Sequence, residues 1–190
     1  MKDYLTKAID DINNMWTKDV VIDVQNLENL ARRVIQALNY GGTIAFAGNG
    51  GSASEASHLA AEFTGKCLID HRPLRAISLA ESSTAMSAIG NDYGFHDVFV
   101  RQSEAFLNSN SIIVAMSTSG KSRNILRLIE NSKSRGIYTV LWTGKAYEHK
   151  GDSDSADEIW QAPSSVTSRI QEVHLLWGHL LAELVELHYA

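Results

Sequence analysis

Apolar side chains recur at helical spacing towards the two ends of the chain and gather in short unbroken runs between them. Tyr4, Leu5, Ala8, Ile9, Ile12 and Trp16 predict a first helix over residues 2–16. Leu27, Leu30, Ala31, Val34, Ile35 and Leu38 predict a second over 21–38, ended by the NYGG turn of residues 39–42. The runs at 43–47, 75–79, 111–116, 138–142 and 158–161 have the length and composition of strands. SIIVAM, residues 111–116, is apolar on both faces, as a central parallel strand should be. Helical stretches are expected after Ser52 and over 82–89, 97–107, 123–135 and 168–188, and loops over 90–97 and 145–157. This alternation argues for a parallel sheet wrapped by helices, with ligands at the carboxyl ends of the strands. The two leading helices exceed what such a sheet requires. They either cover it or pair with another subunit.

Two strand ends carry the candidate chemistry. After residues 43–47 comes Gly48-Asn49-Gly50-Gly51, a turn that exploits the tolerance of glycine for positive φ. Ser52 then reads as a helix N-cap, with Glu55 at the spacing of a capping box. A helix N-terminus behind such a turn offers free N–H groups and a positive dipole end, which suits a phosphate. Close packing is the competing reading of the same glycines. His58 and Glu62 stand four apart on that helix and project from one face, able to bind metal or move protons. After residues 111–116 the pattern returns as STSGKS, where Ser117, Thr118, Ser119 and Ser122 all offer hydroxyls to phosphate oxygens. Serines also cap helices, but these are more hydroxyls than one cap uses. Asn91 and Asp92 project polar groups from the 90–97 loop. On the last helix Gln171 and His179 share a broad face while His174 sits on a flank, so spacing alone leaves open which histidine belongs to a site.

Composition narrows the classes. A chain of 190 residues, 44% hydrophobic, suits one well-filled domain. A net charge of −5 without a basic run argues against a nucleic-acid partner. Cys67 is the only cysteine, so no disulfide forms within the chain, and a zinc site would draw on imidazole, carboxylate or amide ligands. No apolar stretch approaches the roughly 18 residues of a membrane span, and the N-terminus lacks a signal-peptide apolar core. A cytoplasmic protein without a membrane partner is expected.

With these residues in view the chain resembles the sugar isomerase (SIS) domain family, and within it the phosphoheptose isomerases. GNGGSxxxAxHxAxEFTGK (48–66), GNDYGF (90–95), STSGKS (117–122) and RIQExHxxxxH (169–179) carry the resemblance, which covers nearly the whole chain. It implies one SIS domain over 1–190, including a helical extension over about 1–40. The fold implied is an α/β arrangement, a five-stranded parallel sheet flanked by helices, assembled as a homotetramer with sites near subunit interfaces. It further implies one zinc per subunit, held by His58, Glu62, Gln171 and His179. That choice of His179 over His174 comes from the family pattern. Glu62 and His179 would be the acid/base pair. The substrate would meet Asn49, Gly50, Gly51, Ser52, Glu62, Asn91, Asp92, Ser117, Thr118, Ser119, Ser122 and Gln171. The reaction implied is the aldose–ketose conversion of sedoheptulose 7-phosphate to glycero-manno-heptose 7-phosphate, a step of bacterial heptose and lipopolysaccharide biosynthesis. The alternative is a non-catalytic SIS-domain protein, either a phosphosugar-binding module or a DnaA-binding adaptor. Those adaptors lack the glutamate and distal histidine that Glu62 and His179 match. The chain departs from the family pattern at Glu55 (often Asp), Lys66 (often Arg) and Ser168 (often Asp).

Overall fold

The structure, a computed structural model, describes residues 1–16, 23–148 and 156–190. Helices α1 (Lys2–Trp16) and α2 (Val24–Asn39) precede the first of five strands: β1 (Ile44–Ala47), β2 (Ala76–Ser78), β3 (Ile112–Met116), β4 (Tyr138–Gly144) and β5 (Glu158–Ala162). All neighbours pair in parallel, in the order β2-β1-β3-β4-β5. The connecting elements are α3 (Gly51–Thr64), α4 (Ser83–Asp92), a 3₁₀ turn (Phe95–Asp97), α5 (Val98–Phe106) and α6 (Arg123–Ser134), and α7 (Thr167–Tyr189) closes the chain. The five-stranded parallel sheet with two extra N-terminal helices is the architecture the sequence predicts.

Alternate strand residues feed two cores. Ile44, Phe46, Ile112, Val114, Met116, Val140 and Trp142 pack with residues of α2, α3 and α7. Ala45, Ala47, Ile113, Ala115 and Leu141 pack with residues of α5 and α6. The helices after β1 and β3 therefore depart to opposite faces, although these strands are neighbours. Such a switch point leaves a crevice beyond the carboxyl ends of the two strands. Both polar turns stand at that crevice.

Two boundaries at polar segments differ from the pattern-based expectation for reasons that the local hydrogen bonds show. Gly50, at φ +58°, occupies the N-cap of α3, so the helix begins at Gly51 and Ser52 lies buried within its first turn. Ser52 and Glu55 consequently form no capping box. Helix α4 continues through Gly90, Asn91 and Asp92, because the Ile89 carbonyl still accepts the N–H of Tyr93. The expected 90–97 loop is thus confined to the residues between α4 and the 3₁₀ turn. At α2, the Asp23 carboxylate accepts the N–H of Asn26 at 3.0 Å and starts the helix at Val24. The expected start at Val21 and Ile22 lies outside the described residues, as do 149–155 of the expected loop over 145–157.

Helix α7 also anchors the segment after α3. The buried Glu186 carboxylate accepts the N–H groups of Cys67, Leu68 (2.9 Å) and Ile69 (3.1 Å) and meets the ring of His71 at 3.1 Å. Burial alone would raise its pKa, but these donors prevail and hold it below the usual carboxylate range. Among the described residues no helix is long and apolar enough to cross a membrane.

Candidate active site

The site is assembled where α3 and α7 run against each other. A Cβ on Gly178 would strike the side chain of Leu59, so the missing side chain lets the two helices close together at that level. Next to this contact the neighbouring residues His58 and His179 face each other, Nε2 to Nε2, at 2.8 Å, with rings nearly perpendicular. One turn on, Glu62 Oε1 lies 3.3 Å from His58 Nε2. One ligand atom from each of these three residues falls within 4.8 Å of the others. The side chain of His58 is 47% exposed and that of Glu62 17%, so the group is open to an incoming molecule.

Two imidazole nitrogens and a carboxylate oxygen are donors that zinc accepts at about 2.0–2.2 Å, which sets tetrahedral ligands roughly 3.4 Å apart. The 3.3 Å between His58 and Glu62 matches that spacing, the 2.8 Å between the histidines is a hydrogen-bond contact shorter than it, and the chemistry of the donor set fits a metal of this kind. Gln171 sits elsewhere on α7, two helical turns before His179. Its amide nitrogen donates to Ser52 Oγ at 3.4 Å and lies against Gly51, at the N-terminal end of α3. His174 stands apart, fully buried, stacked on Trp177 and meeting the Thr143 carbonyl at 3.2 Å.

Two residues near the group escape the sequence reading of the site. Glu55 lies three residues before His58 and seven before Glu62, on the same helical stripe. Burial pushes its carboxyl up to about 7, partly offset by a hydrogen bond from Ser52. A capping role hides this position, although the spacing of three and seven to His58 and Glu62 is the signal that could find it. Cys67 places its thiol in hydrogen-bond contact with Glu62, and burial followed by that carboxylate's charge pushes it up to about 12. It is a neutral donor at physiological pH. A lone cysteine beyond a helix carries no sequence signal for such a contact.

The polar turns lie at the crevice. Neither α3 nor α6 has a side-chain cap or an acidic residue in its first turn. Gly50 and Gly51 are exposed at the α3 terminus. In the second turn Ser117 Oγ and Ser122 Oγ are 3.1 Å apart, Ser119 Oγ accepts the N–H of Lys121, and Thr118 is half-buried. Asn49 turns its side chain to Asn124, the second residue of α6, and both amides bond each other. Asn91 and Asp92 are not brought to the histidines. They line a shallow groove with Ser83, Thr84, Ser87 and Ala88, on the outer face of α4, a helix with no buried residue.

The SIS domain family profile matches residues 8–144. The phosphoheptose isomerase of Helicobacter pylori strain P12 is 38% identical over 190 residues, 100% of this chain and 92% of that protein. Phosphoheptose isomerase GmhA from Neisseria gonorrhoeae superposes with a TM-score of 0.84 at 30% identity, covering 97% of this chain and 98% of that one. A phosphoheptose isomerase from Francisella tularensis does so with a TM-score of 0.85 at 25% identity, covering 97% of each chain.

Proposed function

The chain belongs to the SIS domain family, among its phosphoheptose isomerases, and from that premise we propose the reaction it performs: conversion of sedoheptulose 7-phosphate to D-glycero-D-manno-heptose 7-phosphate. The observation that carries this reading is the convergence of His58, Glu62 and His179 at the α3–α7 contact, in a chain whose α3 and α6 N-termini both lack a side-chain cap. Aldose–ketose isomerisation removes a proton from C1, passes through an enediol and returns a proton to C2, while a proton also moves between the two oxygens. Glu62 and His179 are the acid/base pair. A carboxylate and an imidazole can each take and return protons near neutral pH. Phosphate is held by the N–H groups and dipole of α3 from Gly50, Gly51 and Ser52, and by Ser117, Thr118, Ser119 and Ser122 before α6.

Zinc, one per subunit, is the metal we assign: His58, Glu62 and His179 would hold it, with Gln171, bonded here to Ser52, as the fourth donor by the family pattern. A side chain that holds the metal is a weaker base. When bound it polarises the oxygens of the reacting carbon pair. The protein is read as one SIS domain over 1–190, acting in the cytoplasm in bacterial heptose biosynthesis. A homotetramer completes the site. Asn91 and Asp92 on α4 then reach a neighbouring subunit's substrate, which accounts for a polar groove remote from the histidines of its own chain.

The test is incubation of the purified protein with sedoheptulose 7-phosphate, followed by chromatography of the heptose phosphates, and metal analysis of the same sample. Formation of the aldoheptose and about one zinc per chain are expected. Unchanged substrate overturns the assignment.

A further inference from the structure

The side chains of Asn49 and Asn124 form a closed amide pair. Asn49 Nδ2 donates to Asn124 Oδ1 at 2.9 Å, and Asn124 Nδ2 donates back to Asn49 Oδ1 at 2.8 Å. Asn124 is 3% exposed, so this pair is largely shielded from water. Its Oδ1 also accepts the N–H of Ile125 at 3.0 Å, which fixes the orientation of the amide. Asn49 belongs to the turn after β1 and Asn124 to the first turn of α6, after β3. These strands are neighbours, yet α3 and α6 leave on opposite faces of the sheet. The pair therefore ties two diverging helix N-termini across the base of the crevice.

A phosphate gripped by both termini needs N–H and hydroxyl donors from two elements at hydrogen-bond distance at once. A shift of a few tenths of an ångström at either turn weakens that grip. An amide at each position presents a donor and an acceptor side by side, so the two close a pair of reciprocal bonds, and a carboxylate at either one sets oxygen against oxygen. The second Asn is invisible to motif reading, because an Asn in the first turn of a helix is an ordinary residue.

We propose that Asn124 is a positioning residue whose amide pair with Asn49 sets the separation of the two phosphate-facing helix N-termini. This rests on the isomerase reading, with the phosphate held between the turns. The variants Asn124→Ala, Asn124→Asp, Asn49→Ala and the Asn49→Ala/Asn124→Ala double are compared with the wild type. Each single variant is expected to raise KM for sedoheptulose 7-phosphate by about 10-fold, the loss of one or two net hydrogen bonds, with kcat within about threefold. The double variant is expected to be no worse than about twofold beyond the more damaging single, because one pair is being removed, not two contacts. Calorimetric titration with inorganic phosphate provides a readout that needs no turnover, and weaker binding is expected in every variant. Penalties that multiply in the double variant, or a loss confined to kcat, overturn the proposal. So does phosphate binding as tight as in the wild type, whether or not the protein isomerises the sugar. Should Asn124→Ala fail to fold, Asn49→Ala and Asn124→Asp carry the same expectations. A wild type that binds phosphate but leaves the heptulose phosphate unchanged overturns the isomerase reading, while the calorimetry still decides the role of Asn124.

Discussion

His174 is enclosed by Trp142 and Trp177, and its Nε2 donates to the Thr143 carbonyl because that oxygen can only accept. Its Nδ1 meets no hydrogen-bond partner among the described residues. Burial lowers its pKa to about 4, only partly offset by the bond to Thr143. The native state thus refuses a proton that the unfolded chain accepts below about 6.5. The stability held at neutral pH is accordingly lost as the pH falls from about 6.5 towards 4. Urea unfolding at pH 7 and pH 5 should show a decrease of about 2 kcal/mol from this group alone. His174→Gln keeps a donor for Thr143 and does not titrate, so that share of the decrease should vanish. An equal decrease in the variant would show that His174 is not the buried neutral group described here. At the same scale Glu55 shows why a motif misleads. The spacing of Ser52 and Glu55 satisfies a capping box, yet a glycine at positive φ starts the helix earlier, and Glu55 is left on the stripe that its spacing of three and seven shares with His58 and Glu62.

Among the elements, α1 exposes the most large apolar side chains. Only Met15 is buried, while Leu5 is 59% exposed, Ile9 55% and Tyr4 76%. An apolar stripe of that kind marks an interaction surface. Packing against other subunits is the expected use, and Leu5→Asp/Ile9→Asp should yield a smaller assembly in light scattering without unfolding α2–α7. A double variant with the mass of the wild-type assembly would remove α1 from the interface. Most elements are legible from apolar spacing, because strands buried on both faces read as unbroken runs and α2 and α7 as stripes. The His58–Glu62 pair is legible for the same reason, since a spacing of four fixes one face. The partner of that face is not. Which side of α7 meets α3 depends on the close approach of Gly178 to Leu59, a tertiary fact with no periodic signature. The extent of α4 is likewise hidden, because Gly90, Asn91 and Asp92 carry turn preferences that the continuing helical ladder overrides.

At the scale of the whole molecule, the strand order places two polar turns at one crevice, and α7 brings a histidine from the end of the chain to a helix near its start. The proposed isomerisation requires both: phosphate held at the crevice, and acid/base groups supplied at the α3–α7 contact. The most direct measurement is the turnover of sedoheptulose 7-phosphate by His179→Ala and His174→Gln, assayed side by side below both melting temperatures with zinc content determined on the same samples. The account expects His179→Ala to lose at least about 10²-fold in kcat, the low end for a general acid/base, and to hold less metal. His174→Gln should keep its metal and most of its activity. The opposite ranking, with His174→Gln inactive and His179→Ala active, would contradict the assignment of the site to the contact between His58, Glu62 and His179.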